Sequence, residues 1–414
     1  MAFQFSVYGA CAILIGVCLH ATSAQASKAP LSPAAQALID KAFDGLQSLE
    51  LVDYHVHMLG LGSGDTGARV NPNLLSWIHP VSRLKAKIFF KSAGITDEAK
   101  ADPQYVERLL ALSRAFPKPT KLAILGFDYS RGKDGSIDRA KTEIYVPADY
   151  VVELARRHPD SFVPVVSVHP YDPEALAKLE AYARQGVQMV KWLPNAQGMD
   201  PSDPDIDPYY QTMARLGLTL LCHVGQESAV HAPDAQRLGN PLLLRRALDN
   251  GVRVIMAHAG NRGSNEDLDR PGHSARNFDL FLRMMDDPRY KDLLLADISA
   301  LTQTIRDPED INVLLSRSDL HARLVNGSDY PLPAIPFFIS TASLAWNGLI
   351  SWKESRALHE IYRQNPLLFD FVLKRTLRHP QTGAQFPPQI FGAHPTLARN
   401  NQTLQDRVQS ETGA

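Results

Sequence analysis

Eight short apolar runs of β-like composition, separated by longer segments with helical spacing, constrain the fold of this chain more than any other feature. The runs are 49–57 (LELVDYHVH), 121–128 (KLAILGFD), 162–169 (FVPVVSVH), 187–193 (VQMVKWL), 218–224 (LTLLCHV), 253–258 (RVIMAH), 293–299 (LLLADIS) and 324–329 (LVNGSD). Between them lie periodic segments such as 172–185 (DPEALAKLEAYARQ) and 241–250 (PLLLRRALDN), the second closed by Gly251 as a helix stop. Alternating β and α units predict a parallel sheet, and eight of them in 414 residues favour a closed barrel. The alternative for such an alternation is an open doubly wound sheet. The expected fold is therefore α/β, a (β/α)8 TIM barrel over residues 48–375.

Two segments exceed the barrel's minimum. Residues 58–120, between the first two runs, carry Gly60, Gly62, Gly64 and Gly67, then Trp77, Phe89 and Phe90, and are expected as a lid-like insertion or substrate wall. Residues 376–414, rich in Pro, Gln, Asn and Thr, are expected as a surface extension ending in disorder. Ahead of the barrel, residues 27–47 include a short helical pattern over 32–46. The first 26 residues read as a signal peptide: an apolar run at 8–19 (YGACAILIGVCL) precedes an Ala-x-Ala at Ala24 and Ala26. The expectation is an exported protein, periplasmic or secreted, with an uncleaved membrane anchor as the alternative. Cleavage would remove Cys11 and Cys18 and leave Cys222 alone, so no internal disulfide is expected. With 43 Lys and Arg against 44 Asp and Glu, the chain has no basic field to draw it to nucleic acid. The expected partner is a small-molecule substrate, with no membrane span after cleavage and with homo-oligomerisation open.

His55 and His57 close the first run two residues apart, which puts both imidazoles on one face of a strand. Among 14 histidines, roughly half a pair at this spacing arises by chance, so the pair alone is weak. The other strand ends change its weight. Lys191 closes the fourth run, His223 the fifth, His258 the sixth and Asp329 the eighth, and in a barrel these C-terminal ends converge on one pocket. Parity agrees, because Leu221, Met256, Val325 and Gly327 share faces with these residues and suit a barrel interior.

The segments VDYHVHM, MVKWLP, LLCHVGQE, VIMAHAG and VNGSDYP, in that order, resemble the metal signature of the amidohydrolase superfamily, in its amidohydrolase-2 (amidohydrolase-related) branch. A late IYRQNPLLF at 361–369 is similar to that branch's closing helix. The resemblance implies a metal-dependent hydrolase whose metal-activated hydroxide cleaves an amide, ester, lactone or related bond. It implies His55 and His57 on a more buried metal, His223 and His258 on a more exposed one, and Asp329 as a ligand that also moves protons. Zn²⁺ is the expected divalent ion, as one or two ions. Lys191 sets the count: buried beside cations it should be neutral, and its carbamate would bridge two metals, the alternative being an uncharged substrate contact or pocket salt bridge.

Other residues carry smaller expectations. Asp53, two before His55, should share its face and orient a ligand or close a buried pair. His169 should be a hydrogen-bonded histidine or a substrate contact. Cys222 should pack toward the helices, as should Trp192, while Tyr330 should simply pack. Arg262, Arg270 and His273, in GNRGSNEDLDRPGH, should rim the pocket as solvated loop or as an anion clamp. Two other functions compete with hydrolysis: a decarboxylase or lyase of the same family, using one metal and an unmodified lysine, and a non-catalytic periplasmic binding protein on a degenerate barrel.

Overall fold

A computed structural model describes residues 30–227 and 233–398, so the signal-peptide reading falls outside the described residues. Eight parallel strands form one sheet: β1 Leu51–His57, β2 Thr120–Leu125, β3 Phe162–Val166, β4 Met189–Trp192, β5 Thr219–Cys222, β6 Arg253–Met256, β7 Leu294–Asp297 and β8 Leu324–Val325. The strands pair in chain order, and backbone bonds close the sheet on itself. Tyr54 N–H donates to Asn326 O, Asp329 N–H to His55 O and His57 N–H to Tyr330 O, all at 2.8–2.9 Å. The fold is the expected (β/α)8 barrel.

Each strand feeds a helix. In order these are α1 Pro33–Ala42 ahead of the barrel, α2 Pro80–Ser92 and α3 Ala101–Arg114 after β1, then α4 Ala148–Arg157, α5 Ala175–Arg184, α6 Asp207–Leu216, α7 Arg245–Asp249, α8 Asn277–Asp286 and α9 Pro308–Ser316. After β8 come α10 Trp352–Gln364 and α11 Pro366–Thr376. The stops are legible: α6 ends on Gly217 at φ 68°, a left-handed cap open to glycine without strain. The start of α11 is legible too, because the Asn365 side chain accepts from Leu368 N–H while Pro366 takes the first turn. Strand alternation sorts two cores. Leu125, Val165, Met189, Leu221, Ile255 and Leu295 fill the barrel, while Ile124, Val166, Leu220 and Cys222 pack outward under the helices. Cys222 and Trp192 point outward as expected, Trp192 against Tyr209 and Tyr210.

Two expectations need correction. The stretch after Thr376 is not a loose surface extension as far as residue 398: Phe386, Ile390 and Phe391 are buried, Ala393 N–H donates to Glu50 O, and Leu397 joins the interior cluster. A segment without periodicity was misread because it closes the bottom of the barrel as a plug, using a few apolar anchors. Asp53 does not share a face with His55. A bulge between Asp53 and Val56 inserts one extra residue into β1, so Val52 and Tyr54 face the interior and Val56 packs outward. Asp53 instead spans the β1–β8 seam, accepting from Ser328 N–H at 2.8 Å and His55 N–H at 3.1 Å.

The 58–120 segment divides. The helix α3 is the ordinary crossover to β2, and α2 with its flanking loops is the added part. Phe89 lines the barrel mouth and Phe90 is buried, but Trp77 is 80% exposed, under the Arg83 guanidinium. No helix among the described residues is long and apolar enough to cross a membrane.

Candidate metal centre

At the C-terminal mouth of the barrel the strand ends converge as expected. His55 Nε2 lies 3.2 Å from His57 Nε2, 3.5 Å from Asp329 Oδ1 and 3.2 Å from Lys191 Nζ, and His57 Nε2 lies 3.2 Å from the same Asp329 oxygen. His258 stacks on His55 at 5.0 Å between ring centroids, and His223 meets His258 at 5.1 Å. All six predicted residues therefore share one site. Their routes to it differ from simple alternation, however. His258 follows β6 by two residues in a left-handed turn (φ 59°), and Asp329 lies beyond β8 at φ 62°. Such conformations cost non-glycine residues energy and persist where surrounding contacts fix them, here bonds from His258 N–H to Asp297 and from Asp329 N–H to His55 O.

Sequence reasoning missed the residue that organises these ligands. Asp297 ends β7 with no exposure; its Oδ2 accepts from His55 Nδ1 at 2.8 Å, and its Oδ1 accepts from His258 N–H at 2.8 Å, Ser299 N–H at 3.0 Å and the Ser299 hydroxyl. The Ser299 oxygen in turn accepts from His258 Nδ1 at 2.7 Å. One carboxylate thus fixes both tautomers, with the proton on Nδ1 and the lone pair on Nε2. The signal was present: an aspartate in the apolar run LLLAD, on the interior face two residues after Leu295.

The electrostatics suit a cation. Burial, then the Lys191 charge, brings the His55 imidazole down to about 4, and burial holds His223 and His258 well below the ordinary range. Burial would raise the Asp329 carboxyl, but the hydrogen bond to His57 and the positive electrostatic surroundings bring it down to about 2. Neutral imidazoles beside an ionised carboxylate are the protonation states a divalent metal requires. The spacing fits as well. Tetrahedral ligands at Zn–N distances near 2.0–2.1 Å stand about 3.3 Å apart, and the His55, His57 and Asp329 donors are 3.2–3.5 Å apart. His55, His258 and Asp297 form a second close group. Among the described residues His223 Nε2 is buried with no hydrogen bond, 3.5 Å from Glu227 Oε2. Among the four imidazoles His57 is the open one, its side chain 24% exposed against none for His55. His55 is the most buried of the four, and His258 and His223 are buried as well.

Lys191 is 1% exposed, and burial lowers its amine against the charges of Asp297 and Asp329. The remaining candidates separate. His169 is structural: Nδ1 accepts from Tyr171 N–H at 3.1 Å and Nε2 donates to Gln197 O at 3.0 Å. Arg262 lines the mouth, whereas Arg270 and His273 stand exposed on a hairpin formed by Ser264–Glu266 and Ser274–Arg276. Tyr330 is buried against Tyr105.

A convergent His and Asp donor set at the C-terminal mouth of a parallel barrel places the chain among barrel enzymes that work through a bound divalent ion. It belongs to the amidohydrolase family: the Amidohydro_2 model, described as amidohydrolase, matches residues 52–334. No curated protein matches the chain in sequence. Similar solved structures include an uncharacterized TIM-barrel protein from Bordetella bronchiseptica (16% identity, 76% of this chain and 95% of that one, TM-score 0.47). A putative 2-pyrone-4,6-dicarboxylic acid hydrolase from Pseudomonas putida (18%, 68% and 83%, 0.41) and a 5-carboxyvanillate decarboxylase from Sphingomonas paucimobilis (13%, 70% and 92%, 0.43) are further examples. At these identities the likenesses do not bear on the reaction.

Proposed function

We propose that this protein is a metal-dependent hydrolase of small molecules. The observation that carries the reading is the meeting of His55 Nε2, His57 Nε2 and Asp329 Oδ1 within 3.2–3.5 Å of one another beside an accessible pocket. A divalent ion such as Zn²⁺ held there would supply Lewis acidity and ease deprotonation of water. Asp329, kept ionised by its neighbours, takes a proton from the attacking water and returns it to the leaving group. Asp297 fixes the His55 ring, and His57 and His223 face the pocket. Phe89, Phe127, Leu193 and Phe338 form apolar walls that keep bulk water from the reacting bond. Lys191 as a carbamate, formed by its neutral amine adding to CO₂ with loss of a proton, would extend the donor set toward His223 and His258 for a second ion.

A second reading is decarboxylation or another lyase reaction with one ion, in which the buried Lys191 amine stays unmodified beside the donor set. Metal analysis of the purified protein with native mass spectrometry separates the two. Two ions and one added CO₂ on Lys191 support the hydrolase, and one ion with an unmodified lysine supports the lyase. No bound divalent metal, and no hydrolysis of amide, ester or lactone panels after adding Zn²⁺, Mn²⁺ or Co²⁺, would sink the hydrolase.

A further inference from the structure

The part of the 58–120 segment that the barrel does not need turns apolar side chains outward. Ile78 is 81% exposed, and Val81 and Leu84 stand exposed on α2 beside Trp77. Val81, Leu84 and Lys85, at i, i+3 and i+4, share the outward face of the helix, whereas Phe90 is buried. Apolar side chains scattered singly on a surface need no explanation, but those from Trp77 to Leu84 form a patch. The charge around it has one sign. Arg83, Lys85, Lys87 and Lys91 lie on α2, and no Asp or Glu occurs between Asp65 and Asp97, although the whole chain is close to neutral. Two of these cations gather over the exposed indole, the Arg83 guanidinium at 3.2 Å from the ring centre and Lys87 Nζ at 5.9 Å. Among the described residues the lysine salt bridges are made by Lys121, Lys133, Lys141, Lys178 and Lys374, none of them on α2.

We propose that α2 and the turn before it dock this protein on an anionic lipid surface, with Trp77 and Ile78 entering the headgroup boundary and the α2 lysines meeting lipid phosphates. An apolar patch set among cations matches both parts of such a surface, the acyl boundary and the negative charge above it. Lysine stems lie along apolar surroundings while their ammonium groups stay with water and phosphate, and an indole settles at headgroup depth. A second copy of the chain fits less well, because a two-fold contact through this patch would set the four cations against the same four. Phe89 of α2 lines the barrel mouth, as does Ile305, which is itself half-exposed. The Ile305 loop is tied to the loop after β8, which carries the exposed Phe337, by a bond from Thr304 N–H to Phe338 O at 2.8 Å. Docking by α2 therefore brings the mouth of the barrel to the lipid.

The test is co-sedimentation of the full-length protein with vesicles of phosphatidylcholine alone and of phosphatidylcholine with about one third phosphatidylglycerol. Wild type should bind the anionic vesicles at least about tenfold more tightly, since each basic residue near such a surface contributes about fivefold. The preference should fade at about 1 M salt, where charges are screened within about 3 Å. The double variant Lys85→Gln with Lys87→Gln should lose about tenfold or more of the preference, and Trp77→Ser with Ile78→Ser should lose about tenfold or more in binding. All four side chains are exposed, so both variants should keep the melting temperature of wild type. Lipids brominated on their chains should quench the Trp77 fluorescence, read as the difference between wild type and Trp77→Phe. Equal binding to the two vesicle types overturns the proposal. So does equal binding by wild type and both double variants, which would assign the binding to the apolar run at 8–19. A dimer that Trp77→Ser with Ile78→Ser abolishes, without binding to vesicles, overturns it in favour of a second copy of the chain.

Discussion

Replacing Asp297 with Asn tests how the centre is organised. The substitution keeps shape and removes one acceptor. Oδ1 takes three donors, from His258 N–H, Ser299 N–H and the Ser299 hydroxyl, so an asparagine must keep its carbonyl oxygen there. Its NH₂ then faces His55 Nδ1, where the carboxylate stood at 2.8 Å. Two donors cannot share that contact, and the ring resolves it by moving its proton to Nε2. That atom is the one 3.2 Å from His57 Nε2 and 3.5 Å from Asp329 Oδ1, and a protonated nitrogen cannot ligate a cation. The expected effect is a metal affinity weakened by about 10–100-fold, or about 1.4–2.7 kcal/mol, typical for loss of a carboxylate behind a ligand histidine. Competition against a chromophoric chelator measures it, with circular dichroism to show a folded barrel. An unchanged metal Kd in folded Asp297→Asn would refute the account of the tautomer.

Three further outcomes are expected. Asp329→Asn should retain metal while turnover falls about 10²–10⁴-fold, the usual range for a lost general base, whereas His55→Ala should lose metal as well; equal activity in both would remove Asp329 from the mechanism. Gly327→Ala would place a Cβ 2.8 Å from His55 Cβ and 3.2 Å from Ser299 Cβ, so it should destabilise the fold by about 1–3 kcal/mol in a thermal melt and loosen metal; an unshifted melt would show that the turn after β8 yields freely. Burial lowers the His169 imidazole from 6.5 to about 4, so below pH 6.5 the unfolded chain binds a proton that the folded one refuses, and stability falls from pH 6.5 toward pH 4. Urea denaturation should show wild type losing about 2 kcal/mol more than His169→Gln between pH 7 and pH 5, and parallel losses would exclude His169 as the source.

Much of this architecture is written locally. The apolar runs that became β1 to β8 needed only a period of two and their bounding turns, and Pro366 behind Asn365 marks the start of α11 without reference to anything distant. The ligand types were legible because imidazole and carboxylate at strand ends have few other uses in so apolar a setting. Asp53 was misplaced because alternation assumes an unbroken strand, and a bulge is set by the partner strand rather than by the bulged sequence. The C-terminal plug was misread because its burial depends on a cavity that exists only once the barrel has closed.

The sequence by itself therefore determined the order of strands and helices and the chemical identity of His55, His57, Lys191, His223, His258 and Asp329, since both follow from short-range pattern and residue type. Only the tertiary structure decided which nitrogen of His55 carries its proton and that Asp297 holds it there. Those are relations between side chains up to 242 positions apart, fixed by distances of a few ångströms that local sequence does not encode.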